Sequence, residues 1–263
     1  MEKKLPKISV VIPSYNKGKY IKQTLDSVFS QKYPSLEVLV QDGGSTDKTV
    51  EIINSFQKKY PQELFFESKE DKGQTDAINV GIKKAKGDIV TYLNADDYYE
   101  GNALWKVANY FMHNPKINWA AGYGQMVSDK GKVVAGFFEL GKRTMQYLNN
   151  RNLLLVGNYL YQPSVFFRRK FLQKMGEFVG VDGIILEYDM WLKMAKLEMH
   201  GNIPAKLSAF RLASGGFSAQ HSQKILAAEL AVAEKYTSDP AIILLHKFVN
   251  WSRKLVSNIY KAK

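Results

Sequence analysis

The sequence predicts an α/β fold: a mostly parallel, Rossmann-like sheet flanked by helices. Three observations carry this. Short β-branched runs alternate with stretches of helical spacing four times between residues 8 and 97. The connections between them are short. Polar clusters close three of the four runs, as expected where strands end at a ligand crevice.

Ile8-Ser-Val-Val-Ile12 is a β-branched run ended by Pro13 and reads as a buried strand. Lys19 to Ser30 then shows helical spacing at Ile21, Leu25, Val28 and Phe29. Leu36-Glu-Val-Leu-Val40 is a second strand, ending at Asp42-Gly43-Gly44. Ser45 or Thr46 can cap the next helix, which aligns Val50, Ile53 and Phe56. Leu64-Phe-Phe66 is a third strand. Lys72-Gly73 opens a helix through Ala77, Ile78, Gly81, Ile82 and Ala85, which Gly87 ends. Asp88 to Leu93 is a fourth strand, closed by Asn94-Ala-Asp-Asp97.

The second half is less regular. Gly101 to Asn114 has helical spacing. Trp119 to Ser128 and Lys132 to Phe138 read as strands around a Lys130-Gly131 turn, and Ser164 to Phe167 as another. Glu187 to Met199 is a predicted helix and Lys206 to Leu212 a late strand. No repeat or linker interrupts the chain. It divides into a domain over 1–220, with halves 1–100 and 101–220, and a helical region over 221–263.

Apolar residues make up 45% of the 263 and charged residues 24%, which fits a globular domain and excludes disorder. Cysteine is absent, so thiolate metal sites and disulfides are excluded. The formal charge of +12 favours an anionic partner. The N-terminus has no signal-peptide core, and no run approaches the ~20 apolar residues of a membrane span. A cytoplasmic location is expected.

The polar clusters Pro13-Ser-Tyr-Asn16, Asp42-Gly-Gly-Ser45 and Asn94-Ala-Asp-Asp97 are predicted to converge on one crevice. Asp96 and Asp97 are adjacent, so one carboxylate can meet a metal while the other meets a sugar hydroxyl. Hard oxygen donors suit Mg²⁺ or Mn²⁺. Taken alone, such a turn is more often a cap for the helix near Gly101; its convergence with Asp42 favours the ligand reading. Asp42 can accept from a base or ribose, or organise its own loop. Gly18-Lys19 lacks the spacing of a phosphate loop, and no G-x-G-x-x-G is present. His113, His200, His221 and His246 have no metal-ligand spacing and are expected in structural or surface roles.

Ser9-Val-Val-Ile-Pro-Ser-Tyr-Asn16, Asp42-Gly-Gly-Ser-Thr-Asp47 and Gly87 to Asp97, in that order, resemble the family 2 glycosyltransferases. Lys72 to Gly81 resembles that family's central helix. Gln162 to Arg169 and Glu187 to Lys193 resemble its acceptor-side segments. Phe210 to Ser218 resembles a late loop of members that build bacterial surface polysaccharide: O-antigen, capsule or exopolysaccharide. The resemblance covers roughly residues 7–220. It implies a GT-A fold with a smaller acceptor-side half, and inverting transfer from a nucleotide-sugar, with UDP-sugar expected, to a glycan or lipid-linked glycan. Pro13, Ser14, Tyr15, Asp42 and Gln74 or Asp76 would line the uridine site. Asp96 would face the ribose and Asp97 the divalent metal, Mn²⁺ or Mg²⁺.

Two positions depart from the family pattern. The first aspartate of its D-x-D is Asn94 here, which moves the metal-binding weight to Asp97. The position of its catalytic aspartate aligns with Glu187; Glu187 is the expected base and Asp189 the reserve. Arg168, Arg169 and Arg211 are candidates for a diphosphate or acceptor phosphate, or else surface charge, and His221 lies near a candidate loop. The departures also admit a second class of function, a non-catalytic nucleotide- or glycan-binding module. Nucleic-acid binding has only net charge behind it.

Residues 241–263 carry an apolar stripe, including Leu244, Leu245, Phe248 and Trp251, among Lys247, Arg253, Lys254, Lys261 and Lys263. Such a C-terminal amphipathic helix suits an anionic membrane surface, here the inner face of the cytoplasmic membrane. Packing on the core or on the twin of a homodimer is the alternative.

Overall fold

The computed structural model describes residues 4–134, 136–180, 186–212 and 221–261. Its centre is an eight-stranded sheet in the order β3-β2-β1-β4-β7-β6-β8-β5. The strands are β1 (Ile8–Ser14), β2 (Leu36–Asp42), β3 (Leu64–Ser68), β4 (Ile89–Tyr92), β5 (Tyr98–Tyr99), β6 (Trp119–Ser128), β7 (Val165–Arg168) and β8 (Gly201–Leu212). β3, β2, β1 and β4 are parallel. β7 runs antiparallel to both β4 and β6, β8 is parallel to β6, and β5 is antiparallel to β8. This is the GT-A architecture.

The first four helices are α1 (Ile21–Phe29), α2 (Thr49–Lys59), α3 (Gln74–Lys84) and α4 (Ala103–His113). The first three are the predicted crossovers of the first half, and α4 is the helix expected from Gly101 to Asn114 in the second. β1 shows why two layers form. Its side chains alternate, so Ile8, Val10 and Ile12 join one apolar core with α1, α2 and α4. Val11 points the other way, into a second core under α3. α3 lies close because Gly81 has no side chain; a Cβ there would sit 2.3 Å from Val11 Cγ1.

The second half differs from the sequence expectation at one strand. Lys132 to Phe138 does not form one. Pairing beyond the Lys130-Gly131 turn reduces to a single antiparallel bridge, Val127 to Val133. Val134 N still donates to Met126 O at 2.9 Å, but the Met126 amide donates to the Glu139 carboxylate at 2.9 Å instead of to a strand. The chain enters helix α5 (Gly136–Leu148), followed by α6 (Arg151–Val156), α7 (Arg169–Met175) and α8 (Leu186–Ala195). Helices α9 (Ser222–Tyr236) and α10 (Pro240–Lys261) pack on α6 and α8. β5 was not foreseen: two residues carry no periodicity. β8 begins at Gly201, earlier than its predicted start at Lys206.

The register places the site. Ser14 pairs with Asp42, and Val11 with Tyr92, so β1, β2 and β4 end side by side. The three polar clusters follow directly from those ends.

Candidate active site

A crevice of ≈ 550 Å³ opens at these carboxyl ends. Pro13, Ser14 and Tyr15 form one wall, Gly43 another, and Asn94, Ala95 and Asp96 a third. The predicted convergence is therefore present. Tyr15 is 60% exposed and presents an aromatic surface there. Ser14 Oγ is buried and has no hydrogen-bond partner among the described residues, an unmet polar group at the head of β1.

The loops after β1 and β2 are locked together. Ser45 Oγ donates to Asp42 Oδ1 at 2.5 Å and accepts from Asn16 N at 2.7 Å. Asn16 adopts φ 50°, which asparagine tolerates, and its Oδ1 accepts from Thr46 N at 2.9 Å. Asp42 Oδ2 accepts from Ser45 N at 2.9 Å and Ser68 Oγ at 2.6 Å. Asp42 is thus buried with three bonds to its own loops and does not line the crevice. The loop-organising alternative describes its geometry.

The Asp96-Asp97 turn is held from β8. Arg211 N donates to Asp97 Oδ1 at 2.7 Å, and Arg211 Nε donates to Asp96 O at 2.9 Å. The rest of that guanidinium reaches Asp129 O at 2.9 Å, Ser128 O at 3.3 Å and Gln23 Oε1 at 2.6 Å. Arg211 lines the crevice, yet its donors are engaged in holding the turn. Asp97 is 1% exposed, beneath the wall that Asp96 forms. Burial first, and then the Asp96 charge, push the Asp97 carboxyl well above the usual carboxylate range; the Arg211 amide, Asn94 and Lys17 oppose the shift.

Asn94 sits at a junction. Its Oδ1 accepts from Gln74 Nε2 at 2.6 Å, and its Nδ2 donates to Asp97 Oδ2 at 3.4 Å and Gln162 Oε1 at 3.5 Å. Gln162 Nε2 donates in turn to Tyr92 O at 2.7 Å. Of the pair Gln74 and Asp76, Gln74 lines the crevice. Asp76 Oδ2 accepts from Lys72 N at 3.3 Å, at the start of its own helix.

Glu187 and Asp189 diverge. Asp189 is met by the Tyr236 hydroxyl at 3.3 Å, toward α9. Glu187 is not among the residues lining the crevice; its charge is felt at the buried Tyr92 hydroxyl, which is raised by desolvation first and then by the charges of Glu187 and Asp97. Burial raises the Glu187 carboxyl; its own backbone amide and Lys142 lower it, and Glu229 raises it further. Burial lowers Lys142 to about 8, and its Nζ stands 4.4 Å above the Tyr161 ring.

Two phosphate candidates lie elsewhere. Arg168 pairs with Ile89 at the amino end of β4, the far end of the sheet. Its guanidinium donates to Ile117 O at 2.8 Å and Phe111 O at 3.0 Å, and tethers the end of α4. Arg169 Nε donates to Gly87 O at 2.9 Å at the same end. His221 directly precedes α9, where Ile225 N donates to its carbonyl at 2.9 Å. Residues 213–218 of the late loop fall outside the described residues. His113, His200 and His246 each bond a backbone carbonyl through Nδ1, consistent with structural roles.

Phe210 and Leu212, from the start of the predicted late loop, line the crevice, and sequence reasoning missed Lys17, Glu70 and Asp71. Lys17 Nζ contacts Asp96 Oδ2 at 2.5 Å, and its amide donates to Thr49 Oγ1 at 2.8 Å. Its position next to Asn16, at the end of the first polar cluster, was the available signal. Asp71 lies against Gly43, where a Cβ would meet its carboxylate at 3.0 Å.

Among the described residues, no group of three or more Asp, Glu, His or Cys side chains forms a metal cage. The donors still fit a divalent ion that keeps substrate oxygens as ligands. Two adjacent carboxylates feel each other's charge, and among the described residues Asp97 Oδ2 is met by Asn94 Nδ2 at 3.4 Å.

The model of the family "Glycosyl transferase family 2" matches residues 9–176. An uncharacterized glycosyltransferase of Nostoc sp. is 32% identical over 171 residues, 64% of this chain and 53% of that protein. The chain spans about half the length of the curated relatives it matches. Among solved structures, S. aureus TarS 1–349 in complex with UDP-GlcNAc superposes with TM-score 0.61 at 21% identity, covering 90% of this chain and 69% of that one. Mannosyltransferase PcManGT from Pyrobaculum calidifontis, in complex with GDP-Man and Mn²⁺, gives 0.67 at 21% identity, over 93% and 69%. These likenesses establish the fold.

Proposed function

This chain belongs to glycosyl transferase family 2, and we propose that it moves a sugar from a nucleotide-sugar to a hydroxyl of a glycan or lipid-linked glycan, with inversion. The observation that carries this is the crevice itself, where Ser14, Tyr15, Gln74, Asn94 and Asp96 line one volume and Asp97 lies buried behind the Asp96 wall. UDP-GlcNAc and GDP-Man in the two structural neighbours support a nucleotide-sugar donor.

In this reading Pro13, Ser14, Tyr15 and Gln74 receive the nucleoside, and residues 1–100 form the donor half. Asp42 keeps the loops in register. Asp96 faces the ribose. Asp97, with Asp96 beside it, holds Mn²⁺ or Mg²⁺, which when bound supplies positive charge to the departing diphosphate. Lys17, paired with Asp96, adds a cation at the phosphates. Residues 101–220 form the acceptor half. Glu187 removes the proton of the attacking hydroxyl; the new C–O bond forms on one face of the sugar carbon as the bond to the diphosphate breaks on the other. A base raised by burial is suited to accept that proton near neutral pH. Asp189, turned toward α9, is not assigned a part.

The test is a panel of nucleotide-sugars screened for thermal stabilisation with and without Mn²⁺, followed by calorimetry and turnover. Stabilisation by at least one donor, turnover by wild type, and loss of turnover in Asp97→Ala and Glu187→Gln are expected. Binding without turnover in wild type would make the chain a non-catalytic nucleotide-binding module. No binding at all would remove the reading.

A further inference from the structure

The terminal helix α10 has two apolar or packed faces, and only one of them is used. One side is docked. His246 is fully buried, with Nδ1 donating to Leu155 O at 2.7 Å. Asn250 Nδ2 donates to Leu226 O at 2.9 Å, and Arg253 pairs with the buried Glu229. On the opposite side, Leu244, Leu245, Phe248 and Trp251 are 69, 53, 62 and 56% exposed. The spacing 244, 248, 251 places them on one stripe, and the Phe248 and Trp251 rings lie 5.8 Å apart.

The charge on this helix is one-sided. Its 22 residues include no Asp or Glu. Lys247 and Lys254, seven residues apart, follow one line along the border of the stripe and are exposed. A symmetric contact with a second copy would offer these lysines no acidic partner on the facing helix. An anionic surface satisfies both features: apolar side chains enter the interface and the lysines meet headgroup charge. No helix among the described residues is long and apolar enough to cross a membrane.

We propose that the Leu244-Leu245-Phe248-Trp251 face of α10, bordered by Lys247 and Lys254, docks on an anionic lipid bilayer. The helix lies in the plane of the headgroups, with Trp251 among them. α10 packs on α6, and α9 joins it to α8, so docking brings the acceptor half to the bilayer. The benefit to a lipid-linked acceptor rests on the glycosyl-transfer reading; the surface does not.

The experiment is vesicle co-sedimentation of the full chain, with phosphatidylcholine vesicles containing roughly one third phosphatidylglycerol, or none. Wild type is expected to partition at least about tenfold more strongly onto the anionic vesicles. Phe248→Ser with Trp251→Ser should lower that partition by about tenfold or more, and Lys247→Glu with Lys254→Glu should abolish the anionic preference. All these positions are exposed, and unchanged circular dichroism verifies the fold. Equal sedimentation of wild type and both variants overturns the proposal. So does a wild-type dimer in light scattering that Phe248→Ser with Trp251→Ser converts to monomer, since a second copy then covers the face. A protein that partitions as expected but binds no nucleotide-sugar keeps the surface and removes the transfer reading.

Discussion

Arg211 and Asp97 are 114 residues apart in sequence and joined by a 2.7 Å bond from the Arg211 amide to Asp97 Oδ1. The same arginine grips the Asp96 carbonyl through Nε. The last residues of β8 therefore hold the turn that carries Asp96 to the crevice wall and Asp97 behind it.

Replacing that arginine should expose its role. Arg211→Met keeps the backbone bond to Asp97 but takes the guanidinium donor from the carbonyls of Asp96 and Asp129 and from Gln23 Oε1, while Ser128 O keeps the Gly131 amide. A loss of about 1–3 kcal/mol in stability is expected from these part-buried acceptors and the lost packing of the side chain. Urea denaturation measures it, and a change under about 0.5 kcal/mol would show that the guanidinium is dispensable.

Lys17 gives a separable prediction about ligand chemistry. Its ammonium pairs with Asp96 and lines the same crevice. Lys17→Met should weaken a nucleoside diphosphate by about tenfold or more and leave the parent nucleoside unchanged. Calorimetry with the two ligands decides the matter. Equal losses for both would assign Lys17 to the loop and not to the phosphates.

Glu187 governs two pH effects. Its folded carboxyl is raised by burial, opposed by its own amide and Lys142, and raised further by Glu229. The stabilisation linked to that raised value is present below the unfolded pKa and is lost as pH rises through the folded one. Glu187→Gln should therefore gain stability relative to wild type at pH 7, and the gain should vanish toward pH 4; melting curves at the two pH values test this. Turnover should fall by about 10²–10⁴. In wild type the acid limb of kcat/KM should lie above the ordinary value of 4.5, and Glu229→Gln should move it down. A limb that Glu229→Gln leaves in place would separate it from Glu187.

Gly81 tests the packing that seats Gln74. Alanine is the better helix former by up to about 1 kcal/mol. At this position its Cβ would meet Val11 Cγ1 at 2.3 Å. Gly81→Ala should therefore destabilise by about 1–3 kcal/mol, and should weaken nucleotide binding as α3 shifts from β1. A more stable variant in thermal unfolding would refute the close approach.

Local patterning was enough for the first half of the chain. β-branched runs such as Val10-Val11-Ile12, and helical spacing such as Ile21-Leu25-Val28, specify their elements from within a few residues. Parallel connectivity then required the polar ends of β1, β2 and β4 to share one edge. The second half obeyed weaker local signals. Val133 and Val134 have strand propensity, but the Glu139 carboxylate takes the Met126 amide that a strand would have used. Periodicity does not record that competition, because it rests on one side chain reaching back 13 residues to a backbone amide.

The paired aspartates mark the same division. Their strand end and their place on the crevice were legible in order and spacing. Their inequality was not. Asp96 meets Lys17 at the wall, while Asp97 is buried against an amide from β8. Likewise the sequence separates Glu187 from Asp189 by two positions, and only the tertiary packing gives Asp189 the Tyr236 hydroxyl of α9 while Glu187 is raised by burial and by the charge of Glu229. Element type follows from periodicity within a short stretch, whereas the charge, burial and direction of a single side chain are set by neighbours that the chain brings in from far away.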